Sequence, residues 1–472
     1  MIQIPEYTNA EKVFFYFEEI SKIPHCSGNS DKIADFLVGF AKEHRLYVRR
    51  DEANNVIIKK PATAGFESRP TVIIQAHTDM VEAKTPDTKK DMHSEGLDLY
   101  RDGDFLRAKG TTLGGDDGIG VAYALALLDS ADIPHPAIEA VFTSDEEIGL
   151  IGAEALSCED LSGKLMINID TDVEGIFTVG CAGGVEAEVS LAMSKKKMTD
   201  CGLTLTLDGL TGGHSGSEID KGRGNAIIII AKILAALGDI KIAEINGGNA
   251  ANAIPRSVSA TISGISKSEA MSKANAILGE YRLAEPKINL DITEEKEEKS
   301  FFDLESSKKL TSLLLSLPNG VMAMSKDVEG LVETSLNLGI IKSDKSSVTL
   351  SYCIRSSKDC EREALTERVK SIATEHGAIA RTFGAYPGWA YKRDSHLREV
   401  MCEVYNKMYG ADAKVIMIHA GLECGIFAGK IHGLDCVSIG PDNYDIHTTE
   451  ERLSISSTAR TWEFIKTTLA SI

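Results

Sequence analysis

The sequence has no Cys-x-x-Cys pair, no excess of positive charge and no apolar run long enough to cross a bilayer, and each absence removes a class of protein. Its nine cysteines are an odd set without ligand spacing, so neither a disulfide framework nor a thiolate zinc ribbon is supported, and a reducing cytoplasm is the expected setting. Lys and Arg number 51 against 70 Asp and Glu, and the net charge of −19 repels phosphate backbones and anionic head groups. Nucleic acid and membrane are therefore not expected partners. The most apolar stretch, AIIIIAKILAAL at Ala226–Leu237, carries Lys232 and falls far short of the roughly 20 residues that a span needs, so it is read as a buried helix. Neither G-x-x-x-x-G-K-[ST] nor G-x-G-x-x-G occurs, which leaves nucleotide binding unsupported. The opening MIQIPEYTNAEKVFFYF lacks a basic leader before an apolar core and reads as a first helix, with Thr8 and Glu11 as a capping box ahead of Val13, Phe14, Phe17 and Ile20.

What is present is a chain of 472 residues with ordinary globular usage, 43% hydrophobic and 26% charged, which is enough for two or three domains. Over residues 1–183 short apolar runs (Tyr47–Arg49, Val56–Lys59, Thr71–Ala76, Ala140–Thr143, Leu165–Ile169) alternate with helical patterns (Ser30–His44, Asp117–Asp129). That alternation predicts an α/β domain with a mixed, mostly parallel sheet covered by helices. Residues 184–386 change to strands of alternating polarity, such as Glu186–Ala192, Leu203–Leu207 and Val258–Ile265, between amphipathic helices. This predicts an inserted α+β domain in which the cadence strand, helix, strand, strand, helix occurs twice. Residues 387–472 return to the first pattern and complete the first domain.

Chemistry-bearing residues gather just after the predicted strands. TVIIQAHTDM places His77 and Asp79 two residues apart, on one side of an extended chain, which suits an imidazole ligand and a carboxylate that orients it. Alone, such a pair is more often ordinary hydrogen-bonded structure. In GTTLGGDDGIG, helix capping accounts for one of Asp116 and Asp117, and the mutual repulsion of two adjacent carboxylates favours a cation. AVFTSDEEIG runs into Glu146 and Glu147, LMINID ends on Asp170, and His447 in PDNYDIHTTEE follows the strand Asp435–Ile439. All lie past strand C-termini, the edge at which open α/β sheets bind ligands. A nitrogen and oxygen donor set without thiolate suits zinc, with manganese or cobalt as alternatives.

In this order and context, HTDM, GGDDG, TSDEEIG, the ID at Asp170 and the late His447 resemble the di-zinc aminopeptidase, carboxypeptidase and aminoacylase superfamily of metallopeptidases. GGHSGSEIDKGRGNA, GGNAANAIPR, HAGLECG and IGPDNYDIHTTEERL are similar to segments of its aminoacyl-histidine dipeptidase family, and the resemblance spans the whole chain. It implies a zinc exopeptidase-like catalytic domain with the inserted domain as a lid. It also implies two divalent ions bridged by Asp116, with His77 and Asp170 completing one site and Glu147 and His447 the other. Glu146 then matches the family's general base and acid, and Asp79 the residue that orients His77. In the lid, His214 matches the residue that stabilises the tetrahedral oxyanion, Asn252 a contact to the substrate backbone, and Arg355 the clamp on the substrate's C-terminal carboxylate. The implied activity is hydrolysis of dipeptides, Xaa-His members included, on a short peptide substrate. In related enzymes the lid histidine can come from a second copy of the chain, so a homodimer stays open. HTTEE differs from the HSPxE form common in the superfamily, which bears on substrate contacts more than on ligation.

Two other hydrolase readings fail on residues. GGHSGS is not G-x-S-x-G, because position 217 is Ser. Cys424 near His419 has the small apolar surroundings of a packed cysteine. An N-acyl amino acid amidohydrolase remains the alternative within the same chemistry, and a non-catalytic metal or peptide binder the alternative outside it.

Overall fold

The computed structural model describes residues 9–472 apart from positions 201, 298 and 327, with 195–200 described by backbone alone. Thr8, the expected cap of the first helix, lies outside the described residues; the helix runs Glu11–Ser21 and buries Val13, Phe14, Phe17 and Ile20. Among the described residues no helix is long and apolar enough to cross a membrane. The chain divides into two compact units, one reaching to Gly180 and resuming over Tyr391–Met417 and Leu422–Ile472, the other Cys181–Ala390 with Ile418–Gly421.

The first unit is built on an eight-stranded mixed sheet. At its centre Ile138–Thr143, Val72–His77, Leu165–Asn168 and Asp435–Ser438 lie side by side in parallel. Every residue of these four strands is buried, so both faces of the sheet are covered there, which is why they read as unbroken apolar runs. Antiparallel strands extend the sheet on each side, Val56–Lys60 against Ile138–Thr143 and Ile176–Cys181 against Asp435–Ser438. The helix Gly115–Leu128 is apolar on all faces and fully enclosed, packed on Glu11–Ser21 and on Val72–His77. Gly120 permits that approach, since a Cβ there would stand 2.9 Å from the Ala76 methyl. His77, Thr143, Asn168 and Ser438 all end parallel strands at one edge, so the loops that follow them converge there.

The second unit carries a nine-stranded sheet whose recorded pairings are all antiparallel, half-buried strands such as Gly183–Ala192 and Leu203–Asp208 alternating buried and partly exposed residues. The expected cadence occurs twice. Leu203–Asp208, helix Ala226–Leu237, Lys241–Gly247, Val258–Ser263, helix Lys267–Tyr281 and Asn289–Glu294 form one set. Gly183–Ala192 opens the other, which resumes after the first set with Leu304–Ser316, Val332–Ser343, Ser347–Ser356, helix Asp359–Glu375 and Ile379–Tyr386. In each set the fourth strand lies beside the first and the third beside the second. The helix Ala226–Leu237 is buried as expected, and Asn225 caps it by accepting from the amides of Ile227 and Ile228.

Candidate metal centre

In the first unit the parallel edge brings together His77, Asp116, Glu146, Glu147, Asp170 and His447. The two adjacent aspartates part company. Neither has helical backbone angles, so the regular helix starts after them. Asp117 is turned inward, where it accepts the amides of Gly120 (3.2 Å) and His77 (3.2 Å) and serves as the cap. Asp116 faces the edge instead. Its Oδ1 lies 3.0 Å from His77 Nε2 and its Oδ2 3.2 Å from His447 Nε2. Around these contacts stand Asp170, 3.8 Å from His77 Nε2, and Glu147, 2.8 Å from His447 Nε2. Two trios of ligand atoms result, His77–Asp116–Asp170 and Asp116–Glu147–His447, each within 4.8 Å and sharing only Asp116. A third trio of the same size joins His77, Glu146 and Glu147. His447 is held at φ 63°, a region costly for a residue with a Cβ, and such strain collects at functional sites.

Asp79 holds this constellation from beneath. His77 Nδ1 meets the backbone carbonyl of Asp79 at 3.0 Å, and the Asp79 carboxylate stands 3.5 Å off. That carboxylate accepts the amides of Glu146 (2.9 Å) and Glu147 (3.3 Å) and the hydroxyl of Ser27 (2.7 Å). The Asp79 carboxylate thus meets the glutamate loop, while its backbone carbonyl, in place of the expected carboxylate, makes the closer contact to the imidazole. Ser27, which the sequence did not single out, completes the support. A second unforeseen residue is Glu423 of HAGLECG, fully buried, accepting from Gln75 at 2.5 Å and Thr143 at 2.7 Å. A third is Glu451 of HTTEE, whose carboxylate meets the backbone of the Asp116 loop. His25 is buried with its Nδ1 on the carbonyl of Ile23, and Cys26 is packed against Met80 and Met92.

The charges explain why the site suits cations. Burial opposes ionisation of Asp116, but hydrogen bonds from His447 and His77 outweigh it and hold the carboxyl below the usual range. Burial likewise works against a charged His77, yet the carboxylates of Asp116 and Asp79 raise it well above an ordinary histidine. Contacts with Asp116 and Glu147 raise His447 to about 10. Burial drives Asp170 well above the carboxylate range, opposed by His77 and reinforced by Asp116. Burial also pushes Glu146 up to about 8, opposed by His77 and reinforced by Glu423, Glu147 and Asp116. Among the described residues Asp116, Glu147 and Asp170 form ion pairs with His77 and His447 alone, with no Lys or Arg in reach. Crowded carboxylates compensated only by protons, with oxygen and nitrogen donors and no thiolate, fit a pair of hard or borderline divalent cations.

The second unit places the other expected residues. His214 and Asn252 line one cavity of about 560 Å³, together with Glu218, Asn249 and Arg256. Burial and then the charge of Arg355 lower the pKa of His214, and its amide donates to Glu218 at 2.9 Å. Arg355 is buried, does not line that cavity and donates to the Tyr386 hydroxyl at 3.0 Å. His419, from the same unit, is buried against the Ser335 hydroxyl at 2.7 Å.

Imidazole and carboxylate donors around a shared aspartate, with the half-buried Glu146 beside them, form the arrangement of a metallohydrolase. Residues 73–471 match Peptidase family M20/M25/M40, and the chain belongs to that family. It is 36% identical over 467 residues, 97% of this chain and 96% of the relative, to the cytosol non-specific dipeptidase of Escherichia coli (strain K12). Its structure is similar to that of the aminoacylhistidine dipeptidase from Vibrio alginolyticus, with a TM-score of 0.86 at 36% identity, covering 98% of this chain and 96% of that one. The aminopeptidase PepT from Bacillus cereus shares the fold at 18% identity and a TM-score of 0.57, covering 98% of both chains.

Proposed function

We propose that the protein is a cytoplasmic metal-dependent dipeptidase with a broad range of dipeptide substrates, those ending in histidine among them. The observation that carries this reading is the division of Asp116: its two oxygens face two different histidines, each with a further carboxylate beside it. The names of the E. coli and V. alginolyticus relatives supply the substrate class. The residues fit two divalent cations, zinc first, with Asp116 shared, His77 and Asp170 on one and Glu147 and His447 on the other. When bound, such ions polarise the scissile carbonyl and acidify the attacking water.

The chain's own residues do the rest. Glu146 is left outside the shared pair of trios, so its carboxylate is the group free to take the water's proton and pass it to the leaving amine. Asp79 keeps Glu146 in place through its amide and keeps His77 in one ring orientation. His214 is the proposed donor to the developing oxyanion, Asn252 the contact to the substrate backbone, and Arg355 the group for the substrate carboxylate, where a planar fork grips through two parallel hydrogen bonds. A net charge of −19 agrees with small peptides as partners in place of nucleic acid or anionic lipid.

The test is hydrolysis of a dipeptide panel, Xaa-His members and an N-acetyl amino acid included, by protein stripped with chelator and reloaded with zinc, manganese or cobalt. Restored turnover of free dipeptides is the expected result. Turnover of the acyl amino acid alone would move the activity to amidohydrolysis, and full activity in chelator would refute a metal-dependent reaction.

A further inference from the structure

Glu451 stands four residues after His447, is 3% exposed, and sends both carboxylate oxygens into a loop more than 330 residues away in sequence. Oε2 accepts the amides of Leu113 at 2.7 Å and Gly114 at 3.0 Å, and Oε1 those of Gly115 at 2.9 Å and Asp116 at 3.3 Å. A fifth donor, the side-chain amide of Asn443, reaches Oε1 at 3.2 Å. The four backbone donors are consecutive, and the last belongs to the residue that divides its oxygens between two histidines.

The sequence around this contact is arranged for it. Leu113, Gly114 and Gly115 have no polar side chain with which to fix Asp116. Gly114 sits at φ 68°, where glycine is at no disadvantage, and a Cβ on Gly115 would come within 2.8 Å of the Asn443 amide nitrogen. The backbone can therefore close directly on Glu451 and Asn443. A buried carboxylate is a costly way to hold a loop unless its acceptors are all used, and only a carboxylate presents two acceptor oxygens in one plane without a donor of its own. Gln would turn an NH₂ group toward two N–H donors. Glu451 also ends the turn that carries His447, so one side chain joins the loop of the shared ligand to the loop of the late histidine.

We infer that Glu451 is a positioning residue, a carboxylate clamp that ties residues 113–116 to the His447 loop and so holds the two Asp116 oxygens where each serves a different cation. The inference rests on the two-cation reading above. Its role is through Asp116 and His447, without contact to substrate.

The experiment uses the full-length protein and Glu451→Gln, both stripped and then titrated with zinc against a chromophoric chelator, with circular dichroism and a thermal melt to confirm folding. The clamp predicts that Glu451→Gln binds at least one ion about 10- to 100-fold more weakly. It also predicts a lower kcat for a dipeptide that recovers with excess zinc, at a KM within about threefold of wild type, as expected of a change that spares substrate binding. Zinc affinity within about twofold of wild type overturns the clamp, whatever happens to the melting temperature. Should Glu451→Gln fail to fold, Asn443→Ala decides, since it keeps the carboxylate and removes one donor: several-fold weaker zinc binding supports the clamp and unchanged binding overturns it. Wild-type protein that takes up no pair of ions would overturn the two-cation reading itself, and the clamp with it.

Discussion

Loading the stripped protein with metal should release protons, because the same side chains that would ligate the ions hold protons in their absence. His447 is raised to about 10 by Asp116 and Glu147, and His77 well above its ordinary value by Asp116 and Asp79, so the charged imidazole is favoured at both positions in the metal-free protein. Ligation requires the neutral ring. Protons must therefore leave, and burial of Asp170, which favours its protonated form, adds to the release. The affinity for the two ions then rises with pH, by at most about a decade per pH unit for each imidazole proton displaced. For His447 alone the gap from pH 7.5 to about 10 sets an upper bound of a factor of roughly 300, and because 45% of that side chain is exposed, solvent screening makes the actual factor smaller. Calorimetry of zinc binding in buffers of different ionisation enthalpy counts the protons directly. About two or more per chain is expected. Fewer than about 0.5 would mean that the imidazoles are neutral in the metal-free protein and would refute the charge balance described for this site.

Glu146→Gln keeps the shape of the side chain and removes the proton acceptor, so kcat for a dipeptide should fall by about 10²- to 10⁴-fold while two ions still bind; loss of less than tenfold would assign proton transfer elsewhere. Above about pH 6.5, where His25, His214 and His419, all lowered by burial, no longer oppose the trend, the metal-free protein should melt at lower temperature as pH rises. Glu423, raised by burial to about 7, Glu146 at about 8 and His447 at about 10 all bind protons more tightly folded than unfolded. Each contribution is complete below the unfolded pKa, near 4.5 for the glutamates and 6.5 for the histidine, and is lost as pH climbs through the folded value. For fully buried Glu423 this amounts to about 3 kcal/mol, and a melting temperature that rises between about pH 6.5 and 8 would contradict the trend. Asn225→Ala removes the cap of Ala226–Leu237 and the side-chain bond to the Leu338 carbonyl, with an expected loss of about 1–3 kcal/mol by denaturant titration and an unchanged metal stoichiometry; a loss below about 0.5 kcal/mol would show that the cap contributes little.

The parts of the fold that could be read from sequence are those whose environment leaves one pattern. Val72–His77 and Ile138–Thr143 are buried on both faces, so their apolar runs had no other reading, and Ala226–Leu237 is mostly buried between a cap and a glycine. The hairpin of Leu99–Asp102 and Phe105–Ala108 went unread because it is half-exposed and gains its third strand from Arg452–Ser454, far along the chain. Ile379–Tyr386 is an exposed edge strand without alternation. In the same way, the acidic and imidazole side chains past the parallel strands were legible because apolar strands frame them. Which of Asp116 and Asp117 caps the helix was not, since the answer depends on backbone angles at the turn. Glu423 and Glu451 escaped notice because their partners, Gln75 and the Asp116 loop, lie more than 330 residues away, and a lone glutamate in a loop carries no signal until its burial is known.

The central claim is that Asp116 is shared by two cations held on this edge. Anomalous diffraction at the zinc edge, from crystals of the zinc-loaded protein, tests it most directly. The account predicts two peaks about 3.5–4 Å apart, one against His77 and Asp170 and the other against Glu147 and His447, with Asp116 between them. A single peak within the trio of His77, Glu146 and Glu147, or zinc bound away from Asp116, would contradict it.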